Sequence, residues 1–97
     1  MVVRADLPRG LQAANILHAA GESSPGNLSR GTHAVCLTVP DELALRALTD
    51  RLEAVGLAPF RIIESDPPYT GQLMALGFAP ARKEVMRRHL SSLPLLR

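Results

Sequence analysis

Aromatic side chains are nearly missing from this sequence. Phe60, Tyr69 and Phe78 are the only three, and there is no tryptophan. So few rings argue against a platform on which successive single-stranded bases stack. Cysteine is scarcer: Cys36 stands alone, so no internal disulfide can form and a reducing, cytoplasmic setting is expected. Its place in an apolar run predicts a small buried core residue. No apolar run approaches the roughly 20 residues that a membrane span needs, so no membrane partner is expected. The histidines His18, His33 and His89 are scattered and lack the spacing of a metal site. No Gly-Lys-Ser/Thr ending closes the loop at 21–31, which excludes a nucleotide P-loop there. No cofactor is therefore expected. Neither sign of charge dominates, the net value being +2. It is uneven, however, because residues 81–97 carry Arg82, Lys83, Arg87, Arg88 and Arg97 against Glu84 alone. Such a basic end is either a phosphate contact or a solvated helix face.

What is present suffices for a single domain over residues 1–97 with one hydrophobic core. Residues 1–5 read as a strand with an abrupt start, which leaves room for a lead-in upstream. Pro8 suits a first helical turn, where its missing N–H is no loss. The following residues are good helix formers, ending near Gly21. At about 100° per residue, Ala13, Ile16, Leu17 and Ala20 share one side, expected to be the buried one. Leu11, Asn15 and His18 line up opposite. Asp6 is expected to cap this helix. Loop 21–31 reads as a connector or a mobile lid.

Residues 33–39 are almost continuously apolar, which predicts a strand buried on both faces at the centre of a sheet. Asp41 and Glu42 place negative charge at a second helix start, with Leu45, Leu48, Leu52 and Val55 as its buried stripe. Gly56 ends it. Residues 59–63 and 72–78 read as strands around a proline-stiffened loop, and residues 81–90 as a basic helix. His33 and His89 read as surface residues. Leu93, Leu95 and Leu96 must bury, either over the sheet or against a second copy in a homodimer. The order predicts an α/β fold: a four-stranded mixed, mostly parallel sheet with helices on both faces, in three layers. Sites in such sheets lie at the carboxyl ends of strands, where the Asp6 turn and the Glu64/Asp66 loop both fall.

Together these residues resemble the type 2 peptidyl-tRNA hydrolase family, and in particular a shorter, divergent branch known as peptidyl-tRNA hydrolase domain proteins. The resemblance is carried by the order and spacing of Val3-Arg4-Ala5-Asp6-Leu7, Gly10 with Ala13-Ala14, and His18-Ala19-Ala20. It continues through residues 34–39, Asp41-Glu42-Leu43, and Ala75-Leu76-Gly77 with Pro80. The family helix begins Gly-Lys and continues Ala-Ala-Gln; here Leu11 replaces the lysine and Asn15 the glutamine. Asp66 and Thr70 keep the spacing of a family aspartate and threonine, with Glu64 as a competing match. The resemblance implies cleavage of the ester joining peptide to the tRNA 3′ ribose, peptidyl-tRNA or the tRNA 3′ end as partner, and a tendency to dimerise.

Ester cleavage needs an activated water and donors to the developing oxyanion. A neutral histidine is a suitable base, which makes His18 the catalytic candidate, oriented by Asp66 or Glu64. Asn15 or backbone N–H groups would face the oxyanion, and Thr70 is either a further catalytic candidate or simply closes its turn. Tyr69 would either stack on the terminal adenosine or pack in its loop. Arg4, Arg9, Arg82, Lys83, Arg87 and Arg88 are the candidate contacts to RNA phosphates. A fold retaining RNA binding without catalysis is the alternative expected from Leu11.

Overall fold

The computed structural model describes residues 1–97. The elements run β1 (Val2–Arg4), α1 (Arg9–Ser23), β2 (Leu37–Val39), α2 (Glu42–Ala54), β3 (Phe60–Ile63), β4 (Leu73–Gly77) and α3 (Lys83–Leu90). The strands form one mixed sheet in the order β2-β1-β4-β3. β1 pairs parallel with β2, while β4 runs antiparallel to both β1 and β3. The mixed four-stranded α/β sheet matches expectation, but only the β1–β2 pairing is parallel, because β4 returns between β1 and β3.

The period-two alternation of strand side chains separates two cores. Val2, Leu73 and Leu76 meet Leu45, Leu48 and Leu52 of α2 and Leu90 of α3. Val3, Met74 and Ala75 meet Leu7 and Ala19 on the α1 side. Helices therefore cover both faces in three layers. Met74 and Ala75 are consecutive yet share a face because Ile62 pairs with Ala75 and Ile63 with Leu73, leaving Met74 as an extra residue in β4. Such a bulge turns two neighbours to the same side.

α2 forms as its pattern dictates. Asp41 accepts from the Ala44 amide at 2.9 Å, capping the helix, and Leu45, Leu48 and Leu52 are buried. Val55, just past the helix, is exposed instead. α1 departs from expectation. Its buried residues are Asn15, Ala19 and Ser23, while Ala13 and Leu17 face solvent. Close approach to β4 selects this face. A Cβ at Gly77 would collide with the Ala19 carbonyl and lie 2.9 Å from Ser23 Oγ, so small residues on both partners allow the contact. The two polar residues on that face spend their hydrogens on their own helix: Asn15 Nδ2 donates to Leu11 O at 2.8 Å and Ser23 Oγ to Ala19 O at 2.7 Å. α1 consequently runs past Gly21 to Ser23.

The strand expected over 33–39 shrinks to Leu37–Val39 and lies at a sheet edge rather than the centre. Residues 33–35 are exposed and Cys36 is only half-buried. The apolar character of β2 reflects its cover. The C-terminal tail runs antiparallel along it, with Thr38 N donating to Pro94 O at 2.9 Å and Leu96 N to Cys36 O at 3.0 Å. Leu93 packs on the α2-side core and Leu96 on the α1-side core. Of the three tail leucines expected to bury, Leu93 and Leu96 cover the chain's own sheet, whereas Leu95 stays exposed.

Candidate functional site

The polar groups converge at one end of the sheet. β1, β2 and β3 all finish there, β4 starts there, and α1 and α2 both begin there. At its centre lies Arg4, the last residue of β1, only 5% exposed. Its Nε and Nη2 donate to the two Asp6 carboxylate oxygens, each at 2.9 Å, and Nη1 to Gln72 Oε1 at 2.8 Å and Leu73 O at 3.3 Å. The guanidinium carbon sits 5.9 Å from the centre of the Tyr69 ring. Arg4 is therefore not available to a phosphate. It ties the Asp6 turn to the end of the 64–72 loop. Asp6 is consumed by this pair and does not cap α1, whose N-cap position is Pro8 with no side-chain cap. The first-turn N–H groups at 9–11 remain without an intrahelical partner. Gln12 closes the preceding turn, donating to Leu7 O at 2.8 Å and Ala5 O at 3.2 Å.

A second carboxylate does similar work. Glu42 Oε2 accepts the Leu73 amide at 2.8 Å and the Arg46 guanidinium at 2.9 Å. The hydrogen bond from Arg4 holds the Asp6 carboxyl below its ordinary range, and the Leu73 amide does the same for Glu42. A carboxylate whose folded pKa is depressed stabilises the fold above its unfolded value near 4, and that contribution is lost as pH falls through the folded value. Stability should therefore decline below about pH 4. The urea midpoint measured against pH checks this: Asp6→Asn and Glu42→Gln should each flatten the acid limb.

The 64–72 loop folds on itself. Glu64 N donates to Gln72 O at 3.0 Å and Gly71 N to Glu64 O at 2.8 Å, with Gly71 at φ +79°, a conformation suited to glycine. The Glu64 carboxylate accepts the Ser65 and Asp66 amides at 2.9 and 3.2 Å. Asp66 and Thr70 are exposed, and neither side chain takes part in the fold's ion pairs, which join Arg4 to Asp6, Arg46 to Glu42 and Arg61 to Glu53. Tyr69 and Leu11 pack on the same cluster, so this loop and the first turn of α1 both flank it at this end of the sheet.

His18 lies elsewhere. Its neighbour Ala19 abuts Gly77, at the opposite end of β4. Gly77 lies five residue steps along the strand from Gln72, roughly 16 Å at the usual rise. His18 is exposed in a shallow depression of about 370 Å³ lined by Ala14, Leu17, Gly21 and Glu22. The nearest acid there is Glu22, one helical turn on, and no ion pair joins them. The expected partnership of His18 with Asp66 or Glu64 is therefore not assembled, and the buried Asn15 amide is committed to its own helix.

No family model matches the chain, and no curated protein matches it. Function rests on the rim itself. There, Asp66 is a free carboxylate, Arg9 an exposed cation at the start of α1, and residues 9–11 offer unpaired N–H groups. Lys83, Arg87 and Arg88 on α3 and Arg82 at its N-cap are exposed without ion pairs, in the layer shared with α2. Sequence reasoning missed Gln12, Glu42 and Gln72. A glutamine one turn into α1 was a local signal, whereas the bonds to Leu73 and Arg4 span 31 and 68 residues.

Proposed function

We propose that this chain is a peptidyl-tRNA hydrolase-like protein that takes a tRNA 3′ end at the rim between the first turn of α1 and the 64–72 loop. The observation that carries the reading is a free Asp66 carboxylate on the same rim as unpaired helix N–H groups. Asp6, Glu42 and Glu64 each accept hydrogen bonds from within the chain, which leaves Asp66 as the acid free to polarise a water. In the proposed reaction that water adds to the ester carbonyl while Asp66 takes its proton. The N–H groups of residues 9–11 receive the developing oxyanion, and the proton returns to the departing ribose hydroxyl. Arg9 would hold a terminal phosphate. His18, about 12 Å further along α1 from the first-turn N–H groups, has no step in this scheme.

A second reading is favoured by Leu11. The resembled family has a lysine there, and here the side chain packs half-buried against the α1-side core. The rim then binds the RNA end without cleaving it. Incubating purified protein with peptidyl-tRNA between about pH 5 and 8 separates the two. Turnover above the buffer rate supports hydrolysis. Salt-sensitive binding without turnover supports the second reading.

A further inference from the structure

We propose that the last turn of α3 grips the duplex stem of the RNA whose single-stranded 3′ end reaches the rim. The inference rests on the tRNA-end reading and adds a second contact region with its own task. The tail following α3 enters β2 from its carboxyl end, because Thr38 meets Pro94 before Cys36 meets Leu96. α3 stops at Leu90, a few residues before that pairing begins. Its last turn therefore lies at the same end of the sheet as the Asp6 turn and the start of α1.

That turn carries Arg87, Arg88 and His89. Both arginines are exposed and neither joins an ion pair. Met86 and Leu90 anchor the opposite side of α3 in the α2-side core, so the guanidinium groups are presented on a fixed support. Arg9 and the Arg87/Arg88 pair thus mark one end of the molecule in its two outer layers. The sheet lies between them, a separation of roughly 20 Å at about 10 Å per layer.

The groups between these points do not attract phosphate. Asp6 and Glu42 are already paired with Arg4 and Arg46, and Asp41 caps α2. Binding charge is therefore concentrated at two places rather than spread along a track. A duplex with a short single-stranded 3′ extension fits that division. Its closely spaced backbone phosphates meet the arginine pair, while a few unpaired nucleotides carry the terminal ribose to Arg9 and Asp66. An isolated single strand would engage the rim alone.

The test compares three fluorescent RNA probes: a hairpin with a 3′ single-stranded extension ending in adenosine, that extension as a free oligomer, and the blunt hairpin. Wild type should bind the extended hairpin about tenfold more tightly than the free oligomer, with the steeper salt dependence. The Arg87→Ala/Arg88→Ala double variant, with its thermal midpoint checked against wild type, should remove that advantage. It should also flatten the salt slope by up to about 0.9 per lost phosphate contact and leave the free oligomer within about twofold. Equal weakening of both probes, no effect on the extended hairpin, equal wild-type affinity for the blunt and extended hairpins, or equally tight binding to anionic lipid vesicles would each overturn the assignment. Failure of wild type to bind any probe would overturn the tRNA-end reading and this inference together. Oligomer binding with no arginine effect would remove only the inference.

Discussion

Gly77→Ala should destabilise the protein by about 3 kcal/mol, at the upper end of what overpacking a tight core costs. The added methyl has no space. It meets the Ala19 carbonyl and Ser23 Oγ at the point where α1 rests on β4. Neither neighbour can rotate away cheaply: one is helix backbone, and the other is a hydroxyl held to Ala19 O. Relief requires lifting α1 from the sheet, which loosens the contacts of Ala19, Met74 and Ala75 together. Gly21→Ala is the matched control. Nothing lies within 4 Å of a Cβ there, and alanine in a helix gains up to about 1 kcal/mol over glycine. Urea denaturation of the two variants should move the midpoint in opposite directions. Equal shifts would mean that α1 does not approach β4 as closely as described.

Asp66→Asn should lower the rate of peptidyl-tRNA cleavage about 100-fold, the lower end of what a positioned general base contributes. Asparagine keeps the size and hydrogen-bonding reach of the side chain and removes its ability to take a proton. Because the side chain is exposed and carries no ion pair of the fold, stability should stay within about 0.5 kcal/mol of wild type. His18→Ala should leave the rate within about twofold, since its exposed side chain starts about 12 Å along α1 from the first-turn N–H groups. The reverse pattern, with His18 essential and Asp66 dispensable, would move the reacting centre to the shallow depression around His18. Single-turnover rates with saturating protein keep the comparison free of binding effects.

Local signals carried much of the architecture. In α2 the spacing of Leu45, Leu48 and Leu52, the acidic start at Asp41 and the stop at Gly56 all point to the same helix, and each is observed in its place, Val55 alone departing from the buried stripe. α1 was harder because alanines populate both of its sides, so periodicity could not choose between them. The choice was made by Ala19, Ser23 and Gly77, whose relevant property is small size rather than hydrophobicity. Residues 33–35 are apolar like their neighbours, yet pairing to β1 begins only at Leu37. The site followed the same division. Loop 64–72 and the Asp6 turn were found from their places at strand ends. The pairing of His18 with that loop was not available to the chain, because helix rise and strand rise carry the histidine to the far edge of the sheet. The Arg4 network depends on partners far apart along the chain, and composition around Arg4 resembled that of an ordinary exposed base.

The sheet order has a consequence for how the molecule forms during synthesis. β1 emerges from the ribosome first but lies between β2 and β4. Its β4 neighbour is translated some seventy residues later. Until then one ladder edge of β1 is open, Arg4 lacks Gln72 and the Leu73 carbonyl, and α1 has no Gly77 against which to seat. Most of the nascent polypeptide must therefore wait, loosely ordered, for its later segments. Contacts between distant parts of a chain slow folding and leave apolar segments uncovered meanwhile, so this small domain should draw more on holding chaperones than its length suggests.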